Sequence, residues 1–308
     1  MTPSKPKPPH RPTLRPKTSM ATPTPTTSRS ARTKRSTQAP EAAPSALPGL
    51  FASDDLATDR QFATNLARGL DVLRAFTASD PMLGNREIAD RTGLAKATVS
   101  RLTYTLTLLG YLTRIEKYQK YRLGSGVLSL GYPLLASLQV RQVARPYMEQ
   151  IARDTGCSVN LGMRDRLSIV YIDTIRADAG NLYQPDIGST RPLLSTSMGR
   201  ALLLAASPSE RAAILNRLKV HDPQGFERDF SLFEADQKLF AERGFCHSRG
   251  DWRREVHAIA VPIRQRDEVI ALNCTMSSYR LRKGLLEKEA APRLLEAALR
   301  IEQSSGFH

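Results

Sequence analysis

The sequence predicts a two-domain chain of α/β (α+β) class behind a basic tail, and three observations predict it. First, 308 residues exceed what one hydrophobic core usually holds. Second, apolar residues recur at helical spacing from Phe62 to Leu109 and then fall into two short strand-like runs up to Leu123. Third, the periodicity changes again beyond Gly156, where strand-like runs alternate with helical ones.

Eleven of the twenty prolines lie in residues 1–48, mixed with Ser, Thr, Lys and Arg. Such a segment buries too little apolar surface to offset its ordering entropy, so residues 1–58 are expected to be a disordered tail. The spaced prolines argue against the amphipathic helix of a transit peptide, and no apolar h-region of a secretory signal follows Met1. Met20 is a second candidate start. Of the formal net charge of +15, the first 40 residues hold +9 and residues 62–124 hold +5. The second concentration of positive charge therefore sits on a folded segment, where it points to a nucleic-acid partner; in the tail, solubilisation is the plainer reading. Three scattered cysteines, Cys157, Cys246 and Cys274, are too few for a disulfide framework and point to a reducing, cytoplasmic compartment. No run approaches the roughly 18 apolar residues of a membrane span.

In residues 59–124, Phe62, Leu66, Leu70, Leu73 and Phe76 mark one face of a first helix. Asn85 is the expected N-cap of a short helix, Arg86–Thr92, that Gly93 ends. A second helix follows Leu94, with Val99, Leu102, Leu106 and Leu109 on its apolar face and Gly110 closing it. Two helices about a tight turn make a helix-turn-helix. Tyr111–Ile115 and Tyr118–Leu123, about a turn at Glu116-Lys117, then read as a β-hairpin. Three helices and a basic hairpin are a winged helix-turn-helix.

The chemistry of this unit is expected on the second helix of the pair and on the hairpin. Lys96, Thr98, Ser100, Arg101 and Tyr104 are types that donate to phosphates and base edges, and arginine is the common bidentate reader of guanine. Arg114, Lys117 and Lys120, with Arg122, place cations on the wing, which tracks the backbone or minor groove while the helix enters the major groove.

Val127 to Leu138 suggest a connecting helix over 125–139, interrupted near Pro133 by the missing amide donor. Its apolar residues are a candidate dimer contact. Residues 140–308 then read as a helix, Val140–Thr155, followed by strands at Ser158–Met163, Ser168–Ile175, Ala258–Arg264 and Val269–Met276. Helices are expected at Ser197–Ala206, Pro208–Leu218, Phe233–Arg243 and Leu286–Gln303, with a closing hairpin turn near Arg266-Asp267. A mostly antiparallel sheet covered by helices can enclose a small-molecule pocket.

Catalytic patterns are scarce. His221, His247, His257 and His308 lack metal-ligand spacing, and the chain contains neither Gly-x-Ser-x-Gly nor a phosphate loop. Gly124-Ser-Gly126-Val-Leu-Ser129 imitates a dinucleotide fingerprint, but its sixth position is Ser and no βαβ unit surrounds it. The glycines read as a turn. Cys246-His247 are sequence neighbours, whereas a nucleophile and its base need spatial opposition. No enzyme, cofactor or metal is expected.

These residues resemble the IclR family of bacterial transcriptional regulators over about 62–305. The resemblance is carried by Leu66-Ala-Arg-Gly-Leu-Asp-Val-Leu-Arg-Ala-Phe76, Glu87-Ile-Ala-Asp-Arg-Thr-Gly-Leu94, Thr98-Val-Ser-Arg-Leu102, Leu109-Gly-Tyr-Leu112 and Tyr121-Arg-Leu-Gly124. In the second half it is carried by Val143-Ala-Arg-Pro146, Gly188-Ser-Thr-Arg-Pro192, Gly199-Arg-Ala-Leu202 and Ile259-Ala-Val-Pro262. It implies an N-terminal winged helix, a linker helix used in dimerisation and a C-terminal GAF-like effector-binding domain. It also implies double-stranded DNA as partner at a roughly palindromic operator, a homodimer or dimer of dimers, and nucleoid association through DNA. By position, the effector residues would be Ser197, Met198, Ser248, Val256, Ala258, Asn273 and Thr275.

The chain departs from the commoner family pattern at Gly244-Phe-Cys-His-Ser-Arg-Gly-Asp-Trp252, where relatives carry acidic residues. Trp252 can stack and the neighbouring arginines can pair with carboxylates, so an organic or aromatic acid is the expected effector. The alternative is a small-molecule sensor that acts through a protein partner rather than DNA.

Overall fold

A computed structural model of the chain describes Leu50, Leu56 and residues 59–177, 185–265 and 268–304. The tail expected over 1–58 therefore lies almost wholly outside the described residues, as does the turn at Arg266-Asp267. Leu50 departs from that tail: it is 9% exposed and packs with Ile169, Leu193 and Phe233 of the larger domain. An apolar side chain in a polar segment gains by leaving water, and this one does.

The first unit is α1 (Thr64–Arg74), α2 (Asn85–Thr92), α3 (Lys96–Leu108), β1 (Leu112–Ile115) and β2 (Lys120–Leu123). Val72, Phe76, Leu83, Ile88, Val99, Leu106 and Leu112 form its core. The stripe expected to face that core divides, because Phe76 is buried but Leu66 is 66% exposed and Leu70 also stands out. Val72, outside the stripe, takes the central position. Asn85 is not the N-cap of α2. Gly84 is, and its amide donates to Glu87 Oε2 at 2.6 Å, while Asn85 Oδ1 accepts from the Thr103 hydroxyl of α3. The hairpin pairs Leu112 with Leu123 and Ile115 with Lys120 about a 3-10 turn at Glu116–Tyr118. Gln119, not a glycine, takes the left-handed conformation that closes it.

Helix α4 (Ser125–Ser137) runs through Pro133 without interruption. The carbonyl of Ser129, which the proline leaves without its donor, is on an exposed residue, so the lost bond is not stranded in a core. The chain breaks instead at Leu138 (φ −72°, ψ 83°), before α5 (Gln139–Thr155). Gly124 and Gly126 are explained by close approach as well as by a turn. A Cβ on Gly124 would lie 2.3 Å from the Gly110 carbonyl oxygen, and one on Gly126 2.9 Å from the Tyr111 ring.

The larger domain is a six-stranded sheet in the order β5-β4-β3-β8-β7-β6, antiparallel at every pairing. Its strands are β3 (Ser158–Asp165), β4 (Ser168–Ile175), β5 (Thr190–Pro192), β6 (Cys246–Arg249), β7 (Val256–Arg264) and β8 (Val269–Ser277). Short β5 and β6 were not expected from the sequence, since three or four residues carry too little alternation to register. Ile259, Val261, Ile263, Ile270, Leu272 and Cys274 face α5 and α9 (Ala291–Ser304). A π-helical turn at Leu285–Ala290 precedes α9, so the single helix expected there is two pieces. The opposite face carries smaller residues and packs on α6 (Ser197–Ala205), α7 (Pro208–His221) and α8 (Pro223–Arg243). α8 begins ten residues before Phe233 because Asp222 caps it, accepting from the Gly225 amide at 2.9 Å, with Pro223 in the first turn. Among the described residues, no helix is long and apolar enough to cross a membrane.

Candidate functional site

Two regions gather the residues singled out in the sequence. In the first unit, Lys96, Ser100 and Tyr104 fall at steps of four and form one exposed line along α3. Arg101 and half-buried Thr98 lie round the helix from this line. They border a groove of about 630 Å³ between α1, α3 and α4, together with Leu66, Leu70, Leu109 and Leu130. The five expected recognition residues thus occupy two lines rather than one face.

The wing cations differ in their freedom. Lys117 is exposed, with Nζ 5.4 Å from the centre of the Tyr118 ring. Arg114 donates to Gln119 Oε1 at 2.6 Å and sits 3.4 Å from Glu116. Lys120 Nζ donates to Glu87 Oε1 at 2.7 Å, so its charge clamps the wing to α2. With the Gly84 amide on the other oxygen, these contacts hold the Glu87 carboxyl below the usual range, the amide contributing most. Among the described residues, Lys96, Arg101, Lys117 and Arg122 have no acidic partner, which leaves their charge available to phosphates.

The second region is a pocket on the α6 side of the large sheet. Register builds it: Ser248 pairs with Ala258 and Ala258 with Thr275, so three expected effector residues form one cross-strand row. Alternation puts Ile259 and Cys274 on the opposite face, and leaves small or polar side chains here. Val256, Asn273 and Ser197 complete the lining, with Tyr171, Pro185, Arg191, Thr196 and Trp252. Six of the seven expected residues are thus brought together. Met198 is not: it is fully buried, and its sulfur packs so close to Gly162 that a Cβ there would lie 2.6 Å from it.

At the start of α6, Thr196 caps the helix by accepting from the Gly199 amide at 3.1 Å. Ser197 is 1% exposed, and its hydroxyl has no hydrogen-bond partner. A buried hydroxyl beside the unpaired amides of a helix N-terminus is a ready anion-binding arrangement. On the sheet, Asn160 Nδ2 donates to Asn273 Oδ1 at 2.8 Å while Asn160 Oδ1 accepts from Thr174, which fixes the amide plane of Asn273. Tyr171 is so buried that its phenol is pushed up to about 12, against the pull of Arg191.

Arg200 organises the mouth. It is 1% exposed and donates to Asp236 at 2.6 Å, to Asp251 at 2.7 Å, and to the carbonyls of Leu194 and His247. Burial pushes the Asp236 carboxyl up, while Arg200 and the His247 amide pull it down. Beyond Asp251, two guanidinium groups lie close to the ring of Trp252, Arg191 at 4.5 Å and Arg253 at 5.0 Å from its centre. Sequence reasoning assigned no role to Tyr171, Arg191, Thr196, Asn160 or Arg200. A lone arginine in the apolar run from Ser197 to Ala205 was a usable signal, because a buried charge demands partners.

Cys246 and His247, consecutive on β6, point to opposite faces of the sheet. Burial pushes the Cys246 thiol well up, and burial with nearby Arg249 pushes His247 down to about 4. This is not the arrangement of a nucleophile and its base. Among the described residues, no group of three or more His, Cys, Asp or Glu is placed to hold a metal.

Comparison with known proteins agrees with this architecture. Residues 65–116 match the IclR helix-turn-helix domain, and residues 133–303 match the bacterial transcriptional regulator IclR C-terminal domain. The chain is 32% identical to the Pca regulon regulatory protein of Pseudomonas putida, over 78% of this chain and 83% of that protein. It is 33% identical to the HTH-type transcriptional regulator TsaQ1/TsaQ2 of Comamonas testosteroni, over 64% and 71%. A crystal structure of an IclR family transcriptional regulator from Brucella abortus superposes with a TM-score of 0.74 at 42% identity, covering 80% of this chain and 94% of that one. An IclR homologue from Microbacterium hydrocarbonoxydans, crystallised with 4-hydroxybenzoate, shares the fold at a TM-score of 0.60 and 24% identity, over 78% and 98%. The chain belongs to the IclR family: it is a helix-turn-helix DNA-binding transcriptional regulator with an IclR-type effector-binding domain.

Proposed function

We propose that this regulator binds a roughly palindromic operator as a homodimer and releases or grips it in response to an organic or aromatic acid. The observation that carries the effector class is Ser197. Its buried, unpartnered hydroxyl stands at the amide-rich first turn of α6 in a pocket bordered by Trp252 and Tyr171. A carboxylate satisfies that hydroxyl and those amides together, and an aromatic body suits the ring surfaces. Ser248, Asn273 and Thr275 supply further polar contacts, while Val256 and Ala258 line the apolar side.

On DNA, the line Lys96–Ser100–Tyr104 and Arg101 read the major groove, and Lys117 with Arg122 contacts the backbone. Arg114 and Lys120, already paired with acids, act first as braces of the wing. The exposed leucines Leu66 and Leu70 of α1 and Leu128, Leu130 and Leu134 of α4 favour the dimer, since paired subunits cover such surface. The effector acts by binding the DNA-competent and incompetent arrangements unequally, a coupling of about 1–3 kcal/mol. Its moving part is assigned to the break at Leu138 rather than to Pro133. The working place is the bacterial cytoplasm, at the nucleoid.

The test is fluorescence anisotropy of the full chain on a labelled duplex from upstream of its own gene, against scrambled duplex, over a series of salt concentrations and with benzoate-class acids added. Tight, salt-sensitive binding that scrambled competitor does not displace, and that an acid shifts, is the expected result. Salt-independent or absent DNA binding would favour action through a protein partner instead.

A further inference from the structure

Arg191 differs from the acid-paired arginines of the larger domain, and it lines the pocket. Arg141 and Arg145 lie on Asp173, Arg164 on Glu210, and Arg200 on Asp236 and Asp251. Arg191 has no such partner among the described residues. Its Nη1 donates to the carbonyl of Thr190 at 2.7 Å, and its guanidinium lies 4.5 Å from the centre of the Trp252 ring. It lines the same pocket as Ser197. A guanidinium beside an aromatic ring is held by cation–π attraction, while the N–H groups not taken by the Thr190 carbonyl can donate to a carboxylate.

The pocket therefore carries two separate anion readers. One is the first turn of α6, with the Ser197 hydroxyl; the other is the guanidinium of Arg191, held by Trp252. Building on the acid-effector reading above, we propose that Arg191 is a second anion-binding, specificity-determining residue. The effector is then a planar aromatic acid bearing two anionic groups, one at the α6 turn and one on Arg191. A single carboxylate leaves one of the two sites empty, and a neutral substituent leaves the guanidinium without the charge it matches.

As it stands the pocket has a volume of only about 30 Å³, far below the roughly 300 Å³ at which ligand pockets begin. An aromatic acid must therefore displace part of the wall. The 250–255 segment is the piece to move: it turns at Gly250 (φ +88°), carries Trp252, and is held to α6 through Asp251 and Arg200. Moving Trp252 also moves the ring against which Arg191 lies, so effector entry and the second anion site are mechanically linked.

The test is isothermal titration of the full chain with benzoate and with each of the three benzenedicarboxylates, repeated on Arg191→Gln and Arg191→Lys. We expect at least one dicarboxylate to bind wild type about tenfold or more tighter than benzoate. Arg191→Gln should erase that advantage while leaving benzoate within about twofold, and Arg191→Lys should restore part of it, because charge returns without the fork. Thermal melting of the ligand-free variants, expected to match wild type because Arg191 pairs with no acid, separates lost binding from lost fold. An undiminished dicarboxylate preference in Arg191→Gln, or benzoate binding as tightly as every dicarboxylate, overturns the second anion site and leaves the acid-effector reading standing. Loss of benzoate binding in a folded Arg191→Gln overturns the two-anion reading by making Arg191 the reader of a single carboxylate. No binding of any acid to wild type overturns both.

Discussion

Arg200 donates to Asp251 at 2.7 Å across 51 positions of sequence, joining the first turn of α6 to the segment that carries Trp252. Because the same guanidinium also holds Asp236 and two backbone carbonyls, the helix start, β6 and the mouth of the pocket share one buried charge centre. Replacing Arg200 by Met strands the Asp236 carboxylate and both carbonyls. The expected loss is about 3–5 kcal/mol in urea denaturation. Asp251→Asn keeps an acceptor and should cost about 1–3 kcal/mol. It should also change the emission of Trp252, the chain's one tryptophan, since its segment loses an anchor; unchanged emission would disconnect Asp251 from Trp252.

Gly199 and Gly131 should respond oppositely to alanine. A Cβ on Gly199 would sit 2.1 Å from the Leu193 carbonyl oxygen, whereas one on Gly131 would meet nothing within 4 Å. Gly199→Ala must displace backbone and is expected to cost about 1–3 kcal/mol or more. In the interior of α4, Gly131→Ala should stabilise by roughly 0.5–1 kcal/mol. Thermal melts of the two variants check both signs.

The Glu87 brace implies an acid-sensitive first domain. Its carboxyl is held low by the Gly84 amide and by Lys120, so the folded state binds the proton less readily than the unfolded one. That contribution is fully present above the unfolded value and fades as pH falls through the folded one. Both partners are substantially exposed, so screening keeps the effect small, and salt weakens it further. Glu87→Gln should cost under about 1 kcal/mol near neutrality. Denaturation followed from about pH 7 down to about pH 3 should show a shallower acid limb in the variant; parallel limbs would mean that the brace does not couple to folding.

For DNA, the variants should separate by mechanism. Arg101→Ala is expected to lose about 1–3 kcal/mol on the specific duplex and relax sequence preference, whereas Lys117→Ala should weaken all duplexes evenly and reduce the salt slope by about 1. Lys120→Ala should act mainly through stability, because its ammonium is already on Glu87. Anisotropy titrations over a salt series, paired with melts, distinguish these outcomes. An Arg101→Ala protein with unchanged specific affinity would remove that residue from the reading set.

Helical and alternating periodicity made the winged unit, most of the sheet and the α6 start legible in the sequence, since those patterns follow from which side chains must leave water. The row Ser248–Ala258–Thr275 was reachable through family resemblance, though not its register, which depends on hydrogen bonding between strands far apart in the chain. Short elements escaped for the same reason: β5 and β6 are strands because neighbouring strands pair with them.

By itself, the sequence determined the two-domain order, the basic helix-turn-helix and the glycines that end its helices, all set by local geometry and composition. Only the tertiary structure decided that Lys120 is spent on Glu87 while Lys117 has no acidic partner, that Arg200 is a buried hub, and that Arg191 lies beside Trp252 with no acid on it. A charged side chain's role depends on what folding places within a few ångströms of it, and that distance is not written in any spacing along the chain.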